Sequence, residues 1–189
     1  MRSNAITVIH KFLRREMFDF AEQLFRAGPN DCAAIRTALQ TLVDALHVHA
    51  TQEDARFEPM LRAIDPALAA RMTADHRRLE DQLQTIVDRA TRLDSQAADC
   101  STSLLALHLD WNRFLSAYLA HLDDEERTLF ASLSERIPPV AFLAQSAQQR
   151  GAQGEEFLLK LWAVTTCEER AAIEMAQGAE LKLEEASAA

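Results

Sequence analysis

The chain has 189 residues, about half of them apolar, and a formal net charge of −9 from 20 Lys and Arg against 29 Asp and Glu. That length and apolar share fit one ordinary domain, with or without an appendage, and exclude disorder as the main state. Four Gly and five Pro are too few for the turns of an all-β fold, and the acidity argues against binding a phosphate backbone, so nucleic acid is not an expected partner.

Ser3 or Asn4 is placed to cap a first helix that runs to Ala27, where Gly28 and Pro29 stop it. Asn30 or Asp31 caps a second helix to about Ile64, with Pro59 disturbing its last turns. Asp65 and Pro66 restart the chain as a cap followed by Pro at the first helical position, and this third helix reaches about Leu93. Polar residues from Ser95 to Thr102 separate it from a fourth, which ends near Arg136 before Ile137, Pro138 and Pro139. Residues 140–189 hold three of the four glycines. Two shorter helices are expected there, around 155–164 and 168–183, the second opened by a capping box of Thr166 and Glu169. The last residues form a frayed tail.

Within each long segment the apolar positions recur at alternating spacings of three and four, the mark of a helix that buries one stripe. The expected fold is all-α: an antiparallel up-down four-helix bundle over residues 1–137, with a C-terminal helical extension over 138–189. Cys32, Cys100 and Cys167 are far apart in sequence, odd in number and without a C-x-x-C pair, so free thiols in a reducing compartment are expected. The N-terminal residues lack the apolar run of a secretory signal, and no run approaches the ~20 residues of a bilayer span. A cytoplasmic protein with no membrane partner is the expectation.

Six polar residues interrupt the core stripes: His10, His49, Glu53, His76, His121 and Glu125. Each needs a partner, because burying an uncompensated imidazole or carboxylate costs several kcal/mol. A lone His on an apolar face is ordinarily a hydrogen-bonded core residue; six such residues, with a His on every helix, form a pattern. In an antiparallel bundle, residues equidistant from a turn share a height. About a turn near residue 29, His10 lies 19 positions before and His49 20 after. About one near 63, His49 and His76 lie 14 before and 13 after; about one near 98, His76 and His121 lie 22 before and 23 after. The four imidazoles therefore fall in one layer. His49 with Glu53 and His121 with Glu125 are i, i+4 pairs on diagonal helices, so two carboxylates arrive from opposite corners and can bridge two metal ions. Imidazole and carboxylate donors without thiolate suit iron or manganese, with zinc an alternative. These donors provide fewer contacts than two six-coordinate ions require, which leaves positions for an oxo or hydroxo bridge and for exchangeable O2, peroxide or NO.

A His, an H-x3-E, a His and a second H-x3-E, one element per helix, resembles the hemerythrin-like (HHE cation-binding) family. The run from His49 through Glu53, Asp54 and Phe57 to Pro59 resembles the family's first H-x-x-x-E-E/D-x-x-aromatic-x-P motif. The run from His121 through Glu125 and Glu126 to Leu129 and Phe130 resembles the second, with Ala131 where Pro is common. Ile9, His10 and the residues after them resemble the family's first helix. The likeness covers roughly residues 5–136. It implies a non-haem di-iron centre with His10, His49, Glu53, His76, His121 and Glu125 as ligands. Oxygen-carrying hemerythrins take a fifth His from an H-x3-H pair on the third helix; here Met72 precedes His76 by four and Glu80 follows it by four. That departure disfavours simple O2 carriage and favours sensing or redox chemistry, with Glu80 either a further ligand or a surface residue.

The neighbours are read more plainly. His47 points away from the His49 face, and His108 is structural. Tyr118 is either core or a proton-handling neighbour of His121. Asp75, Asp124 and Glu126 are surface charges unless one orients a ligand imidazole through its second nitrogen. No H-E-x-x-H, Walker or G-x-G-x-x-G motif supports other chemistry. The functional expectation is a di-iron protein binding O2, peroxide or NO for sensing, storage or detoxification, with peroxide- or NO-directed turnover left open. The alternative is a metal-stabilised interaction module whose residues 138–189 contact a partner or a second copy.

Overall fold

A computed structural model describes residues 4–133, 143, 157 and 159–175, and no strand occurs among them. Four long helices dominate: α1 (Ala5–Arg26), α2 (Cys32–Ile64), α3 (Pro66–Thr91) and α4 (Cys100–Leu133), with a 3-10 turn over Pro29–Asp31. The fold is all-α, as the apolar periodicity requires. Two compact units result, Glu16–Ser132 and a second made of Met1–Arg15 with Leu133–Ala189.

The helix ends follow capping chemistry. Asn4 caps α1, its side-chain oxygen accepting from the Thr7 N–H at 2.9 Å. Asp65 caps α3, accepting from the Leu68 N–H at 3.0 Å, with Pro66 at the first helical position. The end before α2 departs from expectation. Asp31 stands at the cap position without a side-chain cap bond; its carboxylate turns back and accepts from the Gly28 N–H at 2.8 Å. Pro59 does not disturb α2, which is continuous from Cys32 to Ile64. Phe57 and Leu61, buried on either side of it, hold the helix together where one backbone bond is forfeited. Helix α4 begins at Cys100, inside the stretch expected to be a connection, because Cys100 and Leu104 are both drawn into the core.

In the unit Glu16–Ser132 the antiparallel register is visible in cross-helix pairs. Arg71 pairs with Asp124 at 3.2 Å and Arg89 with Asp110 at 2.8 Å. The rings of His76 and His121 stand 4.9 Å apart between them. Each of these pairs is centred within about two residues of position 98, the turn inferred from counting alone. At the other end of α3, Arg36 near the start of α2 donates to the Leu93 carbonyl at 2.9 Å. Phe20 on α1 meets Trp111 on α4 edge-on at 4.6 Å. Cys32 and Cys100, the first residues of α2 and α4, bring their sulfurs to 3.4 Å, as diagonal helices of an up-down bundle should at a shared end. Leu107, Trp111 and Leu122, fully buried on α4, fill the interior.

In the other unit Glu169 is buried at 1 % exposure and is held by Lys11, whose Nζ lies 2.7 and 2.9 Å from its two oxygens. The expected capping box is present: the Thr166 N–H donates to Glu169 at 2.8 Å, and the Glu169 N–H donates to the Thr166 hydroxyl at 3.2 Å. Phe12 meets Phe157 edge-on at 5.4 Å. Residues 159–162 and 167–175 are helical; the first span lies within the expected helix 155–164, and the second begins one residue before the expected start at 168. The expected end of the fourth helix at Arg136, the Ile137–Pro139 stop and the stretch 176–183 lie outside the described residues.

Candidate metal centre

Of the six polar stripe residues, five come together inside the unit Glu16–Ser132. His49 and Glu53 occupy adjacent turns of α2; His76 comes from α3; His121 and Glu125 come from α4. All five are buried. Their helices carry them inward because each replaces an apolar residue at a core spacing, so the same packing that buries Leu46 and Phe57 buries His49 and Glu53.

The carboxylates are the hinge points of the cluster. Glu53 Oε2 lies 3.4 Å from His49 Nε2 and 3.7 Å from His76 Nε2. Glu125 Oε1 lies 3.4 Å from His76 Nε2 and 3.2 Å from His121 Nε2. One donor atom each from His49, Glu53 and Glu125 falls within 4.8 Å, and so does one each from His76, His121 and Glu125. Each Glu therefore faces imidazoles on two helices, and both face His76. His10, the sixth residue, is on α1 in the unit that contains Met1–Arg15 and is fully buried there at 0 % exposure.

His76 has a partner that sequence reasoning did not single out. Its Nδ1 lies 2.8 Å from Asp54 Oδ1. A carboxylate there makes Nδ1 the protonated nitrogen and aims Nε2 at Glu53 and Glu125. Asp54 follows Glu53 directly, one step off the core stripe, and that step turns it toward α3. The acidic residue after the first Glu of the family motif was the available signal. Two of the three flanking acids named for this role are engaged elsewhere, Asp75 with Arg78 at 3.0 Å and Asp124 with Arg71 at 3.2 Å.

The charges act strongly on their neighbours. Burial by itself would lower the His76 pKa, but Glu125, Asp54 and Glu53 together raise it to about 9. Burial, then the charges of Glu125 and Glu53, push the Tyr118 phenol well above its ordinary range. A cation between the carboxylates reverses that bias, since it favours neutral imidazole. The donor chemistry fits a metal-binding site: imidazole nitrogens and carboxylate oxygens, buried and convergent, with an oriented second nitrogen on His76.

The remaining candidates sort out plainly. Glu80 and His47 are exposed and pair with each other at 3.4 Å, so Glu80 stands on the surface. His108 Nε2 lies 3.0 Å from the Asn112 amide. Tyr118 is buried with its ring 5.7 Å from that of His121. Met72 is buried and, with Glu53, Asp54, Thr73 and His76, lines a small cavity walled by Phe57 and Leu129. The cavity has room for about one water molecule. No helix among the described residues is long and apolar enough to cross a membrane.

The family model described as Hemerythrin HHE cation binding domain matches residues 2–135. Comparison with curated proteins and with solved structures gave no match.

Proposed function

This chain belongs to the hemerythrin HHE cation-binding family and is a metal-binding helical domain, and from that premise we propose that it holds two iron ions and binds O2, peroxide or NO for sensing, storage or detoxification in the cytoplasm. The proposed ligands are His10, His49, Glu53, His76, His121 and Glu125. The observation that carries the reading is that Glu53 and Glu125 each lie within 4 Å of imidazoles on two different helices, as residues bridging a pair of cations would. His10, fully buried on the first helix, is included on the likeness of that helix to the family's first helix.

When bound, the irons would supply exchangeable coordination positions and one-electron chemistry. The protein's own residues do the rest. Asp54 holds the proton of His76 on Nδ1, leaving Nε2 as the donor. Phe57, Leu61 and Leu129 give the Glu53–His76 side apolar walls around a cavity with room for about one water molecule. Met72, with no imidazole to offer, stands where a fifth His would be in an oxygen carrier, and that favours sensing or redox chemistry over carriage.

The test is iron content and the visible spectrum of reconstituted protein with and without O2. About two irons per chain and a charge-transfer band that depends on O2 are expected, and both should disappear in a His121→Ala, Glu125→Ala double variant. Less than one iron per chain after reconstitution would overturn the di-iron reading; full zinc or manganese loading in its place would move the protein out of redox chemistry.

A further inference from the structure

Two cysteines that nothing in the proposed metal chemistry uses meet at the start of the bundle. Cys32 opens α2 and Cys100 opens α4; their sulfurs are 3.4 Å apart and both are buried at 2 % exposure. They are 68 positions apart in sequence, so only the packing of diagonal helices brings them together. A disulfide bond is ~2.05 Å long, so closing this one requires the sulfurs to approach by about 1.4 Å. Both residues stand at helix N-termini, next to the 3-10 turn Pro29–Asp31 on one side and the turns of residues 92–99 on the other. The first backbone N–H groups of a helix have no partner within it, so such an end shifts without breaking interior bonds.

We propose that Cys32 and Cys100 are a modification site, a dithiol that hydrogen peroxide converts to an intramolecular disulfide tying the start of α2 to the start of α4. In the first step one sulfur attacks a peroxide oxygen: an S–O bond forms, the O–O bond breaks, and the thiol proton leaves with the departing oxygen as water. In the second step the other sulfur attacks the sulfenic acid: the S–S bond forms, the S–O bond breaks, and a second water departs. Two electrons pass from the sulfur pair to one peroxide. The resolving thiol is already in contact, so the sulfenic acid is captured before further oxidation. Burial and the adjacent Cys32 raise the Cys100 thiol above its ordinary range, so reaction awaits a brief opening of the helix ends and is slow. The site is separate from the metal centre: His49 lies 17 residues further along α2, about 25 Å.

The experiment treats reduced, full-length protein with hydrogen peroxide in the presence of a chelator, then alkylates in denaturant for intact mass and peptide mapping. Expected are two fewer alkyl groups than in the untreated control, a linked Cys32–Cys100 peptide pair about 2 Da lighter than the two thiol peptides together, and recovery of both thiols on reduction. Cys167, which is exposed, reports that the oxidant was active. The Cys167→Ser variant should form the same link, and Cys32→Ser or Cys100→Ser should abolish it. Should either of those two fail to fold, the map of the Cys167→Ser protein decides the matter alone. Cys32 and Cys100 remaining fully alkylated after Cys167 is oxidised overturns the proposal, as does their conversion to sulfinic acids or a link that runs only through Cys167.

Discussion

Substituting His76 by Gln in chelator-stripped protein tests the electrostatics of the cluster. The His76 ring stands against Glu125 at 3.4 Å, Glu53 at 3.7 Å and Asp54 at 2.8 Å. Burial opposes its charge, the three carboxylates favour it, and the folded pKa rises from 6.5 to about 9. A raised folded pKa contributes stability that is fully present below 6.5 and is lost as pH rises through 9. At 1.36 kcal/mol per unit, the shift amounts to about 3 kcal/mol. Urea unfolding at a series of pH values, for wild type and His76→Gln, isolates this contribution as the change in their difference. The wild-type advantage should shrink by about 3 kcal/mol between pH ~6 and ~10, a midpoint shift of roughly 1–2 M. Metal-loaded protein should show the opposite slope, gaining stability with pH, because cation binding requires neutral imidazole. A difference that is flat or grows with pH in the stripped protein, or an NMR titration of the His76 ring with its midpoint at or below 6.5, refutes the reasoning.

Three further outcomes are expected. Asp54→Asn, which removes the anion behind His76 Nδ1, should weaken metal binding about 10- to 100-fold in chelator competition while circular dichroism stays unchanged. Trp111→Ala should cost about 3–5 kcal/mol by denaturant unfolding, because the ring is fully buried against Phe20 and Phe114. Trp111→Phe should cost much less, since the indole N–H has no acceptor among the described residues. Lys11→Met, which removes the ammonium 2.7 Å from buried Glu169, should speed native-state proteolysis of the C-terminal segment by about tenfold, with little change in metal content.

Much of the fold was legible because helices announce themselves locally. The three-four spacing of Leu39, Leu42, Leu46, Phe57 and Leu61 states both that α2 is helical and which side is buried. That His49, Glu53, His76, His121 and Glu125 are buried together was legible for the same reason, since a titratable group in an apolar stripe is conspicuous and its height follows from counting 1.5 Å per residue. Local readings failed where another contact, distant or near, competes with them. Pro59 argued for a disturbed helix end, yet burial of Phe57 and Leu61 carries α2 through it. Asp31 argued for a cap, yet its carboxylate reaches the Gly28 N–H more readily than the first turn of α2.

The sequence by itself determined the helices, their buried faces, the layer shared by His49, His76 and His121 and the family to which the chain belongs. All of these are written in one-dimensional spacing. Only the tertiary structure decided that His76 is the imidazole both carboxylates face, that Asp54 stands behind it, and that two thiols 68 residues apart touch. Those are relations between side chains on different helices, set by helix rotation and crossing to within an ångström or two, and the period of a single helix contains no information about its neighbour's rotation.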